Sequence, residues 1–429
     1  MIKPTIIKKN YPSGFKAEII LRPGFNRRFM GIIVDFGSSD DQPVPGLAHF
    51  LEHKLFAQES GDLSLEFEKL GSDVNAFTSF NETMYYASGV KNVAPTIDLL
   101  FDLVGKPYFT DENVKKEIPI IQQELAMYQD EPDWPLGDAL MRSVYGDSNL
   151  AIDVAGTKES IASVDKKKLQ KAYDDNYLAG RMSFVACGDF SDNQVKTIFR
   201  QVGHLQETLI KPGKGPQGGK KVRNKRQPKG PLVLSGGSVP LFAVCLNLKN
   251  FKKVLDSQDL AQILLEIMLE SELGSASAWY AKMRRGQLLN QPLQINVTYT
   301  RQGNYAVIMG MSPDARKVIS AIKEELAPKA LFAASKLPAM REFFNLQKRV
   351  WLAQTVRSLN NIAGLAVELA EESLDDEDLF ENVAKMQALN FDEYCSFCAS
   401  LLDKAGFYSA LIEVDDADEE KDENDEEED

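Results

Sequence analysis

Apolar residues along this chain fall into two rhythms that alternate and then recur. Short runs of branched and aromatic residues at 19–21, 30–34, 84–86 and 184–186 have the length and composition of buried strands. Between them, apolar residues return at three- and four-residue steps, the helical period. One helix is predicted around residues 47–56, where Phe50, Leu51, Leu55 and Phe56 supply apolar cover. A second is predicted to start at Thr110 or Asp111, both good helix starters, and to carry Ile118, Ile121 and Leu125 on one side. Pro119 stands inside it and predicts a kink or a restart. After residue 230 the alternation begins again, with a strand at 241–246, a helix over 260–269 and strands over 293–299 and 305–311.

The chain has 429 residues, too many for one core, and 44% of them are hydrophobic, ample for two domains. The break falls at 211–230, a Gly- and Pro-rich stretch with eight Lys or Arg and no acid, which predicts a solvated linker. It lacks interleaved aromatics and the chain is acidic overall, so no nucleic-acid partner is expected. The expected division is 1–210, the linker 211–230, then 231–412 and a tail from 413 to 429. That tail carries thirteen acids against Lys421, a net −12 of the chain's −14, and predicts a disordered, solubilising segment. No run approaches twenty apolar residues, so no membrane span is expected, and residues 1–10 lack the apolar stretch of a secretory leader. The expected compartment is the cytoplasm. Cys187 and Cys245 sit in strand-like runs and read as core residues. The pair Cys395 and Cys398 follows helical periodicity and reads as a buried helix face rather than a redox or metal motif.

Candidate chemistry is concentrated in one pentapeptide. The chain holds three histidines, and two stand four residues apart in His49-Phe50-Leu51-Glu52-His53. On a helix both imidazoles project to the same side, with Glu52 beside them. Two neutral imidazoles and a carboxylate can hold zinc and set a base beside the water it activates. The order His-x-x-Glu-His is the inverzincin signature. The bland alternative is a partly buried helix with ordinary hydrogen-bonding histidines. A third ligand weighs against that, and Glu117 and Glu124, two helical turns apart, offer one. One carboxylate can complete the zinc shell while the other orients a histidine. Glu124, downstream of Pro119, is the preferred ligand.

These residues form part of a wider resemblance. The stretch Gly46-Leu47-Ala48-His49-Phe50-Leu51-Glu52-His53-Lys54-Leu55-Phe56 resembles the zinc helix of the pitrilysin or insulinase-type zinc metallopeptidases, which include the mitochondrial processing peptidases. Asp73-Val74-Asn75-Ala76-Phe77-Thr78-Ser79, followed by Thr83 and Tyr85, resembles that family's Asn-Ala-x-Thr edge strand. Glu117 and Glu124 match its downstream glutamates. Leu273-Gly274-Ser275-Ala276-Ser277 running into Met283-Arg284 is similar to its Leu-Gly-Gly-x-x-Ser…Leu-Arg stretch. The likeness spans about residues 15 to 412 and is closest to half-length bacterial members.

The resemblance implies an α+β fold of two similar αβ domains related by duplication. Each would be a mainly antiparallel sheet with helices packed on one face, and only the first would bear metal. It implies a metalloendopeptidase for extended or unfolded peptides. One zinc ion per chain would be held by His49, His53 and Glu124, with Glu117 behind them and Glu52 as the base. Asn75, Ala76 and Phe77 would pair with the peptide and Arg284 would touch it. The alternative is a non-catalytic scaffold, or a peptide-binding or maturation subunit of a heteromeric complex. One departure stands out. Seven residues after Arg284, where the family has a Tyr, stands Gln291, and Tyr299 and Tyr305 fall in strand-like runs. The chain thus holds the metal half of a site. It is expected to act as a homodimer, or as a heterodimer with a related subunit lacking the zinc motif.

Overall fold

The computed structural model describes residues 3–215, 228, 230–237, 239–248, 255–328, 330–331, 336–375, 377–403 and 405–414. In the first half come β1 (Thr5–Asn10), β2 (Lys16–Leu21), β3 (Arg28–Val34), α1 (Leu47–Leu55), a small hairpin β4 (Ala57–Gln58) and β5 (Gly61–Asp62), and α2 (Ser64–Lys69). They are followed by β6 (Ser72–Thr78), β7 (Thr83–Gly89), α3 (Val93–Gly105), α4 (Asp111–Gln129), α5 (Trp134–Tyr145), α6 (Lys158–Ala162), α7 (Lys166–Asn176), β8 (Met182–Gly188) and α8 (Asp192–Leu209). The second half runs β9 (Leu232–Gly237), β10 (Leu241–Leu248), α9 (Gln258–Leu273), α10 (Ala278–Arg285), β11 (Gln294–Tyr299), β12 (Asn304–Met311) and α11 (Ala315–Glu325). It closes with α12 (Pro338–Ser358), α13 (Ile362–Asp375), α14 (Leu379–Ala388), α15 (Phe391–Leu402) and β13 (Gly406–Val414).

Strand order makes the duplication visible. The first sheet reads β6-β7-β3-β8-β2-β1 and the second β11-β12-β10-β13-β9. Placed side by side they match position for position, with β1 left over. The sense of pairing matches too. In each sheet the first three pairings are antiparallel, and the next, β8 with β2 or β13 with β9, is parallel. The fold is therefore α+β with two similar domains, as the family resemblance implies.

Each sheet carries its own helices on one face. Leu47, Phe50 and Leu51 of α1, Ile97 and Phe101 of α3 and Leu169 of α7 pack against Ile32, Val34 and Tyr85. Leu264 and Met268 of α9 and Leu401 of α15 pack against Val244 and Ile308 in the second half. The opposite faces are covered by exchange. Helix α13 of the second half lays Leu365, Ala366 and Leu369 on Ile20, Ile33, Met84 and Val185 of the first sheet. Helix α5 of the first half lays Leu136, Leu140 and Val144 on Ala243, Cys245 and Ala410 of the second. A fully buried Leu or Phe contributes roughly 1.5–3 kcal/mol, so each borrowed helix is a substantial part of the other half's core.

Local expectations mostly hold. Thr110 caps α4: its hydroxyl accepts from the Asn113 N–H at 3.0 Å, and the Asn113 side chain accepts from the Thr110 N–H at 3.0 Å. Pro119 does not restart the helix, which is one element from Asp111 to Gln129. Pro119 and Lys115, whose carbonyl loses its donor, are both exposed, so water can take the place of the missing N–H. Cys187, Cys245 and Cys398 are buried, Cys395 is half-buried on α15, and all four are free thiols.

The expected boundaries shift by a few residues. Lys211 and Gly213 accept from the N–H groups of Ala179 and Gly180 at 2.9 and 2.7 Å, so the start of the expected linker is fastened to the first half. Residues 216–227 and 229 lie outside the described residues. Glu413 and Val414 complete β13, and the remainder of the acidic tail, 415–429, is also outside them. No helix among the described residues is long and apolar enough to cross a membrane.

The halves are also joined by polar contacts around Arg301. Its backbone N–H donates to Asn81 Oδ1 at 3.1 Å, its Nη1 donates to the Asn81 carbonyl at 2.6 Å, and the same Nη1 pairs with Asp35 at 2.6 Å. Beside this junction lies a cavity of about 540 Å³, lined by Glu82 of the first half and by Glu368, Glu371, Glu372 and Asp375 of α13.

Candidate metal centre

Helix α1 begins with Gly46 at φ 86°, and a Cβ there would come within 2.5 Å of the Ala155 carbonyl oxygen. Only glycine fits on both counts, and the close approach fixes the start of α1 against the 153–156 loop. From that start Leu47, Ala48, Phe50, Leu51 and Leu55 enter the core, which leaves His49, Glu52 and His53 on the face toward α4 and β6. The two imidazole centroids are 4.6 Å apart. Helix α4 supplies Glu124, whose Oε1 is 3.7 Å from His49 Nε2 and whose Oε2 is 3.5 Å from His53 Nε2. Ligand atoms of His49, His53 and Glu124 all lie within 4.8 Å of one another.

Glu117 takes the other role open to it. Its Oε1 is 3.2 Å from His53 Nδ1, and its Oε2 accepts from Lys54 Nζ at 3.0 Å. A carboxylate at Nδ1 fixes the tautomer and turns Nε2 toward Glu124. Lys54 is almost fully buried, and its charge is matched by Glu117. Glu52 Oε2 accepts from Thr78 Oγ1 at 2.5 Å at the end of β6.

Burial and neighbouring charges move these groups in different directions. Burial, then the neighbouring His53, pushes His49 down to about 4, so its imidazole is neutral at pH 7 and has a lone pair to give. Burial alone would lower His53, but the Glu117 hydrogen bond and the charges of Glu52, Glu117 and Glu124 raise it. Burial raises Glu52 above the usual carboxylate range, against the Thr78 hydrogen bond. Burial would raise Glu117 as well, and the hydrogen bonds from His53 and Lys54 overcome it and lower the carboxyl. Two imidazole nitrogens and one carboxylate oxygen converging with a side left open are a donor set suited to zinc.

Strand β6, carrying Asn75, Ala76 and Phe77, is the edge of the first sheet, so one side of its main chain is unpaired by the sheet. Arg284 is not brought to this cluster. It is exposed on α10, beside a separate cavity lined by Pro240, Gln287, Leu289 and Met311. His204 is exposed on α8 and takes no part. Lys54 and Thr78 stand in the stretches that carry the family resemblance, with no role assigned to them there, and Tyr128 lies outside those stretches. The local signal for Tyr128 is its helical i,i+4 spacing from Glu124.

Duplicated α+β halves with His-x-x-Glu-His on the first helix define the inverted-motif class of zinc peptidase architecture. Comparison with known proteins narrows the class. A profile described as "Insulinase (Peptidase family M16)" matches residues 27–158, and one described as "Peptidase M16 inactive domain" matches 163–330. The chain belongs to the pitrilysin/insulinase-type metallopeptidase family. It is 27% identical over 421 residues to "Uncharacterized zinc protease YmfH" of Bacillus subtilis, covering 92% of this chain and 95% of that one. It is 31% identical over 183 residues to "Uncharacterized zinc protease YmxG" of the same organism, covering 41% and 45%. In fold it matches a putative M16-like peptidase from Alicyclobacillus acidocaldarius with TM-score 0.83 at 22% identity, covering 96% and 99% of the two chains.

Proposed function

We propose that this protein is a zinc-dependent endopeptidase acting on extended or unfolded peptides. One observation carries the proposal: His49, His53 and Glu124 converge from two helices with Glu52 beside them and an open sheet edge alongside. A zinc ion held by those three residues would supply Lewis acidity and a bound water with a pKa near 7. Glu52 is the base. Its carboxylate stands beside the three ligands, where it can take a proton and return it to a leaving amine. Thr78 holds Oε2 of that carboxylate, which leaves Oε1 for the water. Glu117 keeps the His53 ring in register through Nδ1. A peptide joins β6 as an added strand along Asn75, Ala76 and Phe77, main chain to main chain, and only an extended chain can do so.

A second chain is part of the proposal. Arg284 lies away from the metal cluster, so the groups that grip the scissile carbonyl would come from a partner. That partner is another copy of this chain or a related subunit without the zinc motif. Metal analysis of the purified chain, beside cleavage of an unstructured peptide, is the test. One zinc per chain is expected, with cleavage abolished by a chelator and restored by zinc. A dialysed chain with no zinc, or cleavage indifferent to chelator, overturns the proposal.

A further inference from the structure

We propose that Tyr128 is a positioning residue for the metal ligand Glu124. The inference rests on the metal centre proposed above and adds a residue that the family motifs do not contain. Glu124 and Tyr128 stand four apart on α4, so their side chains meet on one face. Tyr128 Oη donates to Glu124 Oε1 at 2.9 Å. Among the described residues this is the one ordinary hydrogen bond that Glu124 accepts, since its approaches to the histidines are longer, at 3.7 and 3.5 Å.

The contrast with Glu117 shows what the tyrosine does. Glu117 is clamped at both oxygens, by His53 and by Lys54, and is well shielded. Glu124 has a side chain 28% exposed, and nothing else among the described contacts stops it from swinging into solvent. By holding Oε1, Tyr128 sets the carboxylate's rotamer and leaves Oε2, the oxygen on the His53 side, as the free donor atom. A flexible three-torsion side chain is thereby preorganised as a ligand, and the ordering is carried by a ring with fewer torsions. The surroundings fit this task. Ile120 and Met127, on the same outer side of α4, are 54% and 64% exposed, so this side of the helix is open, and Tyr128 itself is accessible. An ordinary surface pair between Glu and Tyr would share the spacing. It would not point its carboxylate at two imidazole nitrogens.

The experiment compares zinc affinity, by chelator competition, in the wild-type chain, Y128F and E124Q. It adds the visible spectrum of the cobalt-substituted proteins and peptide cleavage at saturating zinc. Y128F keeps the ring and removes only the donor. Zinc affinity is expected to fall about tenfold to a hundredfold in Y128F, the range typical for an outer-shell partner, with a changed cobalt spectrum and cleavage partly recovered in excess zinc. E124Q is expected to lose tight binding altogether. Wild-type and Y128F chains with equal zinc affinity and identical cobalt spectra would overturn the role of Tyr128 and leave the metal centre standing. A wild-type chain without tight zinc would overturn both.

Discussion

Within the pentapeptide, each side chain does one separable thing. Exchanging Glu52 for Gln keeps its shape and its bond to Thr78 while removing the base. E52Q should therefore retain zinc and cleave about a hundredfold to ten-thousandfold more slowly. H53A should lose metal and cleavage together. A wild-type rate in E52Q would reassign the base. The two glutamates of α4 should also separate. E124Q should lose tight zinc, while E117Q, which removes the charge facing buried Lys54 and one of the two acceptor oxygens shared by Lys54 and His53, should cost about tenfold to a hundredfold in affinity. Equal zinc retention after dialysis would sink that order. His49, Glu52 and His53 were legible in the sequence because one helical repeat joins them. Glu117 and Glu124 were legible because two turns do. The roles of Lys54 and Thr78 were not, since they come from neighbours 63 and 26 residues away in the chain.

At the level of elements, the exposed margin of β6 is the place where a substrate is expected to dock. Because successive residues of a strand face opposite ways, only alternate amides of an added strand bond to it. N-methylation walked along a good peptide should raise KM at every second position, and a uniform response would count against strand addition. The strands themselves were legible from their branched and aromatic runs. Less legible was the destination of the helices. The spacing of Leu136, Leu140 and Val144 announces an apolar stripe on α5, but no local pattern tells whether it covers its own sheet or the other half's. Of the two outcomes expected at Pro119, the restart does not occur, for a related reason. The cost of a mid-helix proline depends on whether the freed carbonyl meets water, and exposure is a tertiary fact.

For the molecule as a whole, the acidic cavity between the halves makes stability a function of pH. Burial, and then neighbouring carboxylates, push Glu371 up to about 8; burial likewise pushes Glu372 to about 8, against a hydrogen bond from the Leu379 N–H. Each folded-state pKa lies above its unfolded value. The stability they contribute is thus whole below the ordinary glutamate range and is lost as pH climbs through 8. The wild-type Tm should fall between pH 5 and 8.5, and E371Q, which cannot ionise, should fall less. Parallel curves would show that Glu371 is not held neutral at that junction. The exchange of α5 and α13 has an effect of its own on what a break in the chain can do. Either half made alone would present a bare sheet face to water and should aggregate. The two made together from separate messages should find each other and assemble one working particle. A protease cut between residues 215 and 230 should go unnoticed in native gel filtration and appear only in denaturant. The covalent bond between the halves would then be dispensable to their union, as though the molecule were a dimer that happens to be written on one strand.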